Sequence, residues 1–226
     1  MPTTLTYTEN STFHVTASSI STAISCWGAG GNGNENGQGG SGGAYAASTI
    51  TLPSGAYQLY VGESNYDGAG NGGNTYFVSA SIVRVRAAGG KSDGTVSHQA
   101  TLNTGSAKSL GGVGGYVVSR DYNGSGGGAA GGGLGAGDPG HINTGAGASF
   151  EQFGGSVTGS AGGLGSISGG GDGGEGGYYR ATTTSGLIAG KPGSLPGGGG
   201  GGGYSGESNA IDTTGIGGGG YITLTF

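Results

Sequence analysis

Glycine recurs through the middle of this chain at every third position and often at two positions in three. The clearest run is Gly170-Gly171-Asp172-Gly173-Gly174-Glu175-Gly176-Gly177, and shorter ones include Gly37, Gly40 and Gly43 and the block Gly111-Gly112-Val113-Gly114-Gly115. The longest uninterrupted stretch covers residues 197–203, with Gly206 in the same frame. A period of three fits neither the α-helix, at 3.6 residues per turn, nor the strand, at two. It is the period of the left-handed polyproline II helix, which rises about 3.1 Å per residue. Glycine accounts for 64 of 226 residues. Such a composition ordinarily leaves a chain disordered, because glycine loses more conformational entropy on folding than any other residue. Order therefore requires an architecture in which the missing side chains themselves stabilise.

Collagen shares the period, but it needs unbroken Gly-X-Y with abundant proline. Five prolines and repeated frame breaks exclude it. A bundle of polyglycine II helices remains. Each such helix makes no internal hydrogen bonds, so its N–H and C=O groups must find partners on neighbouring helices. Backbones approach that closely only where no Cβ intervenes, and Cα–H···O contacts add a second-order gain. Asp172 and Glu175, at the X positions of the best repeat, suit a solvated edge. Val113, Leu134, Leu164 and Ile167 stand alone among glycines and are expected to seal the bundle against a β layer. The less regular segments 63–74, 92–110, 117–123, 138–144, 150–153, 178–185 and 204–214 are expected to be loops.

Both ends of the chain read as strand. Phe13 and Val15 alternate with His14 and Thr16, and Ile20, Ile24 and Cys26 fall on one side of the run from 20 to 27. Residues 44–51 and 56–61 are expected to pair through a turn at Pro53-Ser54-Gly55. In residues 75–88, Val83, Val85 and Ala87 oppose Arg84 and Arg86. The final six residues, Tyr221-Ile222-Thr223-Leu224-Thr225-Phe226, form a strand that needs a partner, and the N-terminal strands are the natural one. The expected fold is mainly β and irregular: a small β base formed by both chain ends, carrying a bundle of polyglycine II helices, with almost no α-helix. Its expected parts are a β-rich base with the first glycine segments (1–90), the bundle with its loops (91–220) and the returning strand (221–226).

Charged residues make up 8% of the chain and its net charge is −5. The seven basic residues are scattered, which argues against nucleic-acid binding, where clustered Lys and Arg are needed. No run approaches the roughly 18 apolar residues of a membrane span. The start, Met1-Pro2-Thr3-Thr4, carries no basic region or apolar stretch, so a chain without secretory signal is expected. Cys26 is the only cysteine, so no internal disulfide forms; its strand-like surroundings suit a buried small hydrophobe rather than a nucleophile.

Chemical motifs fail on context. Gly28-Ala29-Gly30-Gly31-Asn32-Gly33 satisfies G-x-G-x-x-G, but no helix-forming segment or suitably spaced acid follows. Gly90-Lys91-Ser92 resembles the end of a phosphate loop, yet Val85 stands where its first glycine belongs. Gly39-Gly40-Ser41-Gly42-Gly43 matches a nucleophile elbow without the strand-turn-helix it requires. His14, His98 and His141 lack metal-site spacing. No catalytic residue, metal or cofactor is expected.

Tyrosine is more informative, because many of the twelve flank glycine runs. A tyrosine there either packs its ring on the bundle or, with Gly, Ser and Asn around it, serves an adaptable recognition loop. The candidate contacts for a binding partner are Tyr66, Tyr122, His141, Tyr178, Tyr179, Arg180 and Tyr204.

Phe13-His14-Val15, then Ile24-Ser25-Cys26-Trp27-Gly28-Ala29-Gly30-Gly31, Gly43-Ala44-Tyr45-Ala46 and Gly55-Ala56-Tyr57-Gln58-Leu59-Tyr60-Val61-Gly62, with the ending at 217–226, resemble the glycine-rich domains of bacteriophage tail-fibre and other virion proteins. No proline-valine turn follows Val15, and a domain without a long N-terminal shaft is expected, which departs from the tail-fibre pattern. The resemblance implies a non-enzymatic protein on the virion surface (tail fibre, spike or capsid exterior). It would bind a host-cell receptor, protein or glycan, through loops on a polyglycine II scaffold. It would dock on other virion proteins through its β base as a separate subunit, with no nucleic acid, no membrane insertion and a homo-oligomer as an option. The alternatives are a capsid decoration without receptor binding and an ice-binding protein, since snow-flea antifreeze proteins are also polyglycine II bundles. One cysteine and many loop interruptions count against the latter.

Overall fold

The computed structural model describes residues 1–34, 36–65, 67–116, 125–140, 162–165, 170–176, 178–180, 186–202 and 214–226, with the backbone alone at 178–180 and 186–188. The protein is mostly β, with almost no helix. Its strands are β1 (Thr4–Tyr7), β2 (Ser11–Trp27), β3 (Tyr45–Tyr60), β4 (Thr75–Ser79), β5 (Ile82–Ala87), β6 (Ala107–Ser109), β7 (Tyr178–Arg180), β8 (Gly186–Ile188) and β9 (Tyr221–Thr225), with one short helix, α1 (Gln99–Leu102). An antiparallel sheet runs β1-β9-β2-β3-β4-β5, with β6 added beside β3, and β7 pairs with β8 separately. The terminal strand lies between the two N-terminal strands: Leu5 opposes Leu224, which opposes Ile24 on the other side.

Alternation fills one face of this sheet. Phe13, Val15, Ile24, Cys26, Leu52, Tyr57, Leu59, Phe77, Val85, Ile222 and Leu224 form a single buried cluster. Phe77 of β4 joins Ile222 of β9 in that cluster although β2 and β3 lie between them in the sheet, so the sheet curls over its own core. Tyr57 stacks on Phe77 with centroids 5.6 Å apart, and Phe13 meets Phe226 at 5.7 Å.

Two expectations about the strands need correction. Pro53-Ser54-Gly55 is no turn; it lies inside the unbroken β3, opposite a register shift between Val15 and Ser19 of β2. Proline has no N–H to give a ladder, and a bulge is where a strand tolerates that loss. The Tyr57 hydroxyl ties the place down by donating to the Pro53 carbonyl at 2.6 Å. Conversely, residues 75–88 are not one run but the hairpin β4–β5. Its two connecting residues, Ala80 and Ser81, sit at φ 49° and 63°, and neither is the glycine or asparagine that normally marks such a turn.

From the end of the sheet the chain makes repeated excursions into a lattice of extended glycine segments. Residues 39–44 show its rule. Gly39 and Gly42 donate to Gly115 and Gly112; Gly40 and Gly43 donate to Gly200 and Gly197; Ser41 and Ala44 donate to Lys91 and Ala88. Successive N–H groups thus point at three different neighbours and return to the first after three residues. Residues 197–202 lie deepest: their N–H groups bond to Gly219, Ser194, Gly128, Gly31, Lys191 and Ser125, while their carbonyls accept from Gly43, Gly218, Gly174, Gly40 and Gly215. All six of these glycines are buried.

At its closest approaches the interior leaves no room for a side chain. A Cβ built on Gly42, Gly199 or Gly201 would come well within 3.0 Å of the carbonyl oxygen of Ala129, Gly40 or Glu175. The lattice therefore joins segments from both sides of position 90: Gly31 donates to Ser41 and accepts from Gly200.

Short polar side chains complete the lattice where no peptide is in place. Asn32 Oδ1 accepts Gly217 N–H at 2.9 Å, Asn74 Oδ1 accepts Gly89 N–H at 3.1 Å, and Asn103 Oδ1 accepts Ala88 N–H at 2.8 Å. The segment 92–110, expected to be a loop, holds α1 and β6. It brings the fully buried Gln99 into the lattice, where its Nε2 donates to the Gly42 carbonyl at 2.8 Å.

Asp172 and Glu175 lie on the exposed edge, the latter in a salt bridge to Lys191 at 2.6 Å. The isolated apolar residues do not seal the bundle against the sheet: Val113, Leu134 and Leu164 are 45%, 79% and 54% exposed. The lattice closes through its own peptide groups, and a branched side chain on a segment there can point only outward. Ile167 lies outside the described residues.

Candidate functional site

The lattice has two unlike ends. One is continuous with the sheet, at residues 28, 44, 88 and 220, which follow or precede Trp27, Tyr45, Ala87 and Tyr221. The other end is fixed by ladders of hydrogen bonds leading away from the sheet. Gly28 bonds to Ala44, Gly31 to Ser41 and Asn34 to Gln38 along one pair of segments. On the neighbouring ones, Gly218 bonds to Gly198, Gly215 to Gly201, and Gly202 to Ser125. Residues 34, 38, 125, 202 and 215 therefore mark the end opposite the sheet.

At that end stand Gly115 and Ser125, on either side of 117–124 in sequence, and Gly202 and Gly215, on either side of 203–213. The chain climbs through 137–140 and comes back down through 162–165, where Gly140 bonds to Val113 and Gly163 to Gly127. It climbs again through 170–176 and descends through 190–194, with Lys191 donating to the Glu175 carbonyl. The backbone hairpin β7–β8 belongs to this last excursion, with Tyr179 opposite Leu187.

Of the residues singled out from sequence, Tyr122, His141 and Tyr204 lie outside the described residues. Tyr178, Tyr179 and Arg180 form β7, described in its backbone only. Tyr66 also lies outside the described residues, and its flanks differ: Glu63 bonds to Gly73 near the sheet, and Gly70 bonds to Asn32 partway up.

Elsewhere the chemistry is quiet. His14 is exposed, and the His98 Nε2 contacts the Gly89 carbonyl at 2.8 Å. Burial of Cys26 beneath the sheet pushes its thiol pKa well above the ordinary value, so it stays protonated. Among the described residues no three His, Cys, Asp or Glu side chains are placed to hold a metal ion, and no helix is long and apolar enough to cross a membrane. No protein-family model matches the chain, and no curated protein matches it in sequence.

Proposed function

We propose that this chain is a non-enzymatic protein of a phage virion surface, an adhesin or a spike or tail-fibre component. It presents its distal excursions to a host-cell receptor and meets other virion proteins through the sheet. One observation carries this reading: the described residues next in sequence to the segments that hold Tyr122, His141 and Tyr204, and those on either side of Tyr178, Tyr179 and Arg180, stand on the side of the lattice away from the sheet. Recognition loops work best when a rigid scaffold positions them and their own sequence is free to vary. A lattice held by peptide groups provides that separation, because the hydrogen bonds between its described segments run chiefly from one main chain to another. The sparse charge and the absence of a catalytic motif support a binding role rather than chemistry.

The test uses the purified full chain, fluorescently labelled, against a panel of bacterial strains. Two variants replace residues 181–185 or 203–213 with Gly-Ser linkers of equal length. Adhesion to some strains, lost in one or both variants with an unchanged urea midpoint, is the expected result. Adhesion to none, together with saturable binding to a phage capsid, would favour the decoration reading. Thermal hysteresis in the same sample would favour ice binding.

A further inference from the structure

The outer face of the sheet carries a feature independent of the distal excursions. Tyr60 of β3 opposes Tyr76 of β4, which opposes Arg86 of β5, so three large side chains stand in one row across three strands. The Tyr60 and Tyr76 rings stack with centroids 4.7 Å apart and planes at 21°. Their neighbours Leu59, Phe77 and Val85 point the other way into the core, which fixes the row outward.

This row forms one wall of a cleft of about 520 Å³ where the sheet meets the lattice, and Asn10, Glu63 and Asn74 line it together with Val61, Gly62 and Val83. That volume falls within the range of small-ligand sites. Two of the polar groups are held in place by the fold. Asn10 Oδ1 accepts Val61 N–H at 2.8 Å and Asn74 Oδ1 accepts Gly89 N–H, which leaves each amide NH2 without a partner among the described residues. Arg86 is braced in the same way: its Nε donates to the Leu102 carbonyl at 2.6 Å, and no carboxylate pairs with its remaining N–H groups among the described residues. Glu63 is exposed and its carboxylate is likewise unpaired there.

We propose that this cleft binds a neutral saccharide. Stacking leaves each tyrosine one ring face that the other does not cover, and such a flat apolar face, held at low entropic cost, suits the C–H face of a pyranose ring. Around it stand two amide donors, a guanidinium donor and a carboxylate acceptor, a mixture that matches vicinal hydroxyls. The formal charges of Glu63 and Arg86 cancel, so neither a phosphate nor a cation is favoured. The site is separate from the distal end and does not depend on the adhesin reading.

The experiment applies the labelled full chain to an array of immobilised bacterial oligosaccharides and eukaryotic glycans. It then measures dissociation constants for Tyr60→Ala, Tyr60→Phe, Glu63→Ala and, as a remote control, Leu134→Ala on whichever glycans bind. Tyr60→Ala and Glu63→Ala are each expected to weaken binding on the order of tenfold, while Tyr60→Phe and Leu134→Ala retain it. Urea midpoints of all four variants monitor folding. No bound glycan, or equal affinity in Tyr60→Ala and the unaltered chain, overturns the proposal. So does glycan binding that disappears only when 203–213 is replaced. Cell adhesion together with glycan affinity unchanged by Tyr60→Ala would leave the adhesin reading standing and remove this one, whereas cleft-dependent glycan binding without cell adhesion would do the reverse.

Discussion

The side-chain carbonyl of Gln99 accepts the backbone N–H of Gly111 at 2.8 Å, while its amide nitrogen donates to Gly42 on another segment. A primary amide has the same donor and acceptor as a peptide group, and here it occupies a lattice position that no glycine segment fills. Gln99→Leu would keep the volume and leave Gly111 N–H and Gly42 C=O buried without partners. Each such group costs about 1–3 kcal/mol, so a loss of roughly 2–6 kcal/mol is expected in urea denaturation. Gln99→Glu restores the acceptor but buries a carboxylate and removes the donor. It should destabilise at least as much at pH 7 and partly recover as the pH falls and the carboxyl protonates.

Alanine should divide the glycines into two groups. At Gly199 or Gly42 the new methyl meets a carbonyl oxygen of a neighbouring segment, so the lattice must open; a loss of at least about 3 kcal/mol, or failure to fold, is expected. At Gly133 the nearest atom is the Tyr45 hydroxyl at 3.6 Å, and at Gly219 it is Leu195 Cδ2 at 3.5 Å. Both substitutions should be neutral or stabilising by up to about 1 kcal/mol. Denaturation midpoints that fail to separate the two groups would contradict the lattice as described.

The β4–β5 turn carries strain that can be relieved. Ser81 at φ 63° lies in a region where a Cβ is unfavourable. Ser81→Gly should stabilise by about 0.5–1 kcal/mol, and Ala80→Asn should add to it, because that pair is the preferred sequence of a two-residue hairpin turn. Thermal unfolding of the single and double variants measures this.

Cys26 should behave as a core residue with a pH signature. Its thiol keeps the proton in the folded chain and gives it up in the unfolded chain once the pH passes the ordinary thiol value of about 8.5. The unfolded state gains by that ionisation, so stability should fall as the pH rises above about 9, with a limiting slope of about 1.4 kcal/mol per pH unit from this group. Comparing Cys26→Ala with the unaltered chain between pH 7 and 10 isolates the contribution. Thiol reagents at pH 8 should leave Cys26 unmodified until denaturant is added.

The sheet was largely legible from alternation. Ile24, Cys26 and the strand Tyr221–Thr225 fall where apolar-polar patterning and the need of a terminal segment for a partner place them. Pro53-Ser54-Gly55 misled because a proline-glycine cluster signals a break in pairing, and a bulge inside a long strand breaks pairing as effectively as a turn. The β4–β5 turn was invisible for the opposite reason: Ala80 and Ser81 carry no turn chemistry, and the pairing of Phe77 with Val85 imposes it. Gln99 looked like one more polar loop residue, since its partners Gly42 and Gly111 are distant in sequence. The cleft is not legible in the sequence, because Tyr60 and Tyr76 fall in strand-like runs rather than beside the glycine repeats, and the register that unites them with Arg86 is a tertiary fact.

The glycine segments 197–202 have their amides sequestered from water, yet they belong to neither helix nor sheet. Far-ultraviolet dichroism would register that part of the molecule as unstructured polypeptide. Proton exchange into deuterium oxide would find those same amides as slow as any in the strands. For a chain of this design, spectroscopic estimates of order and the actual solvent shielding of the main chain diverge, and proteolytic resistance should follow the shielding.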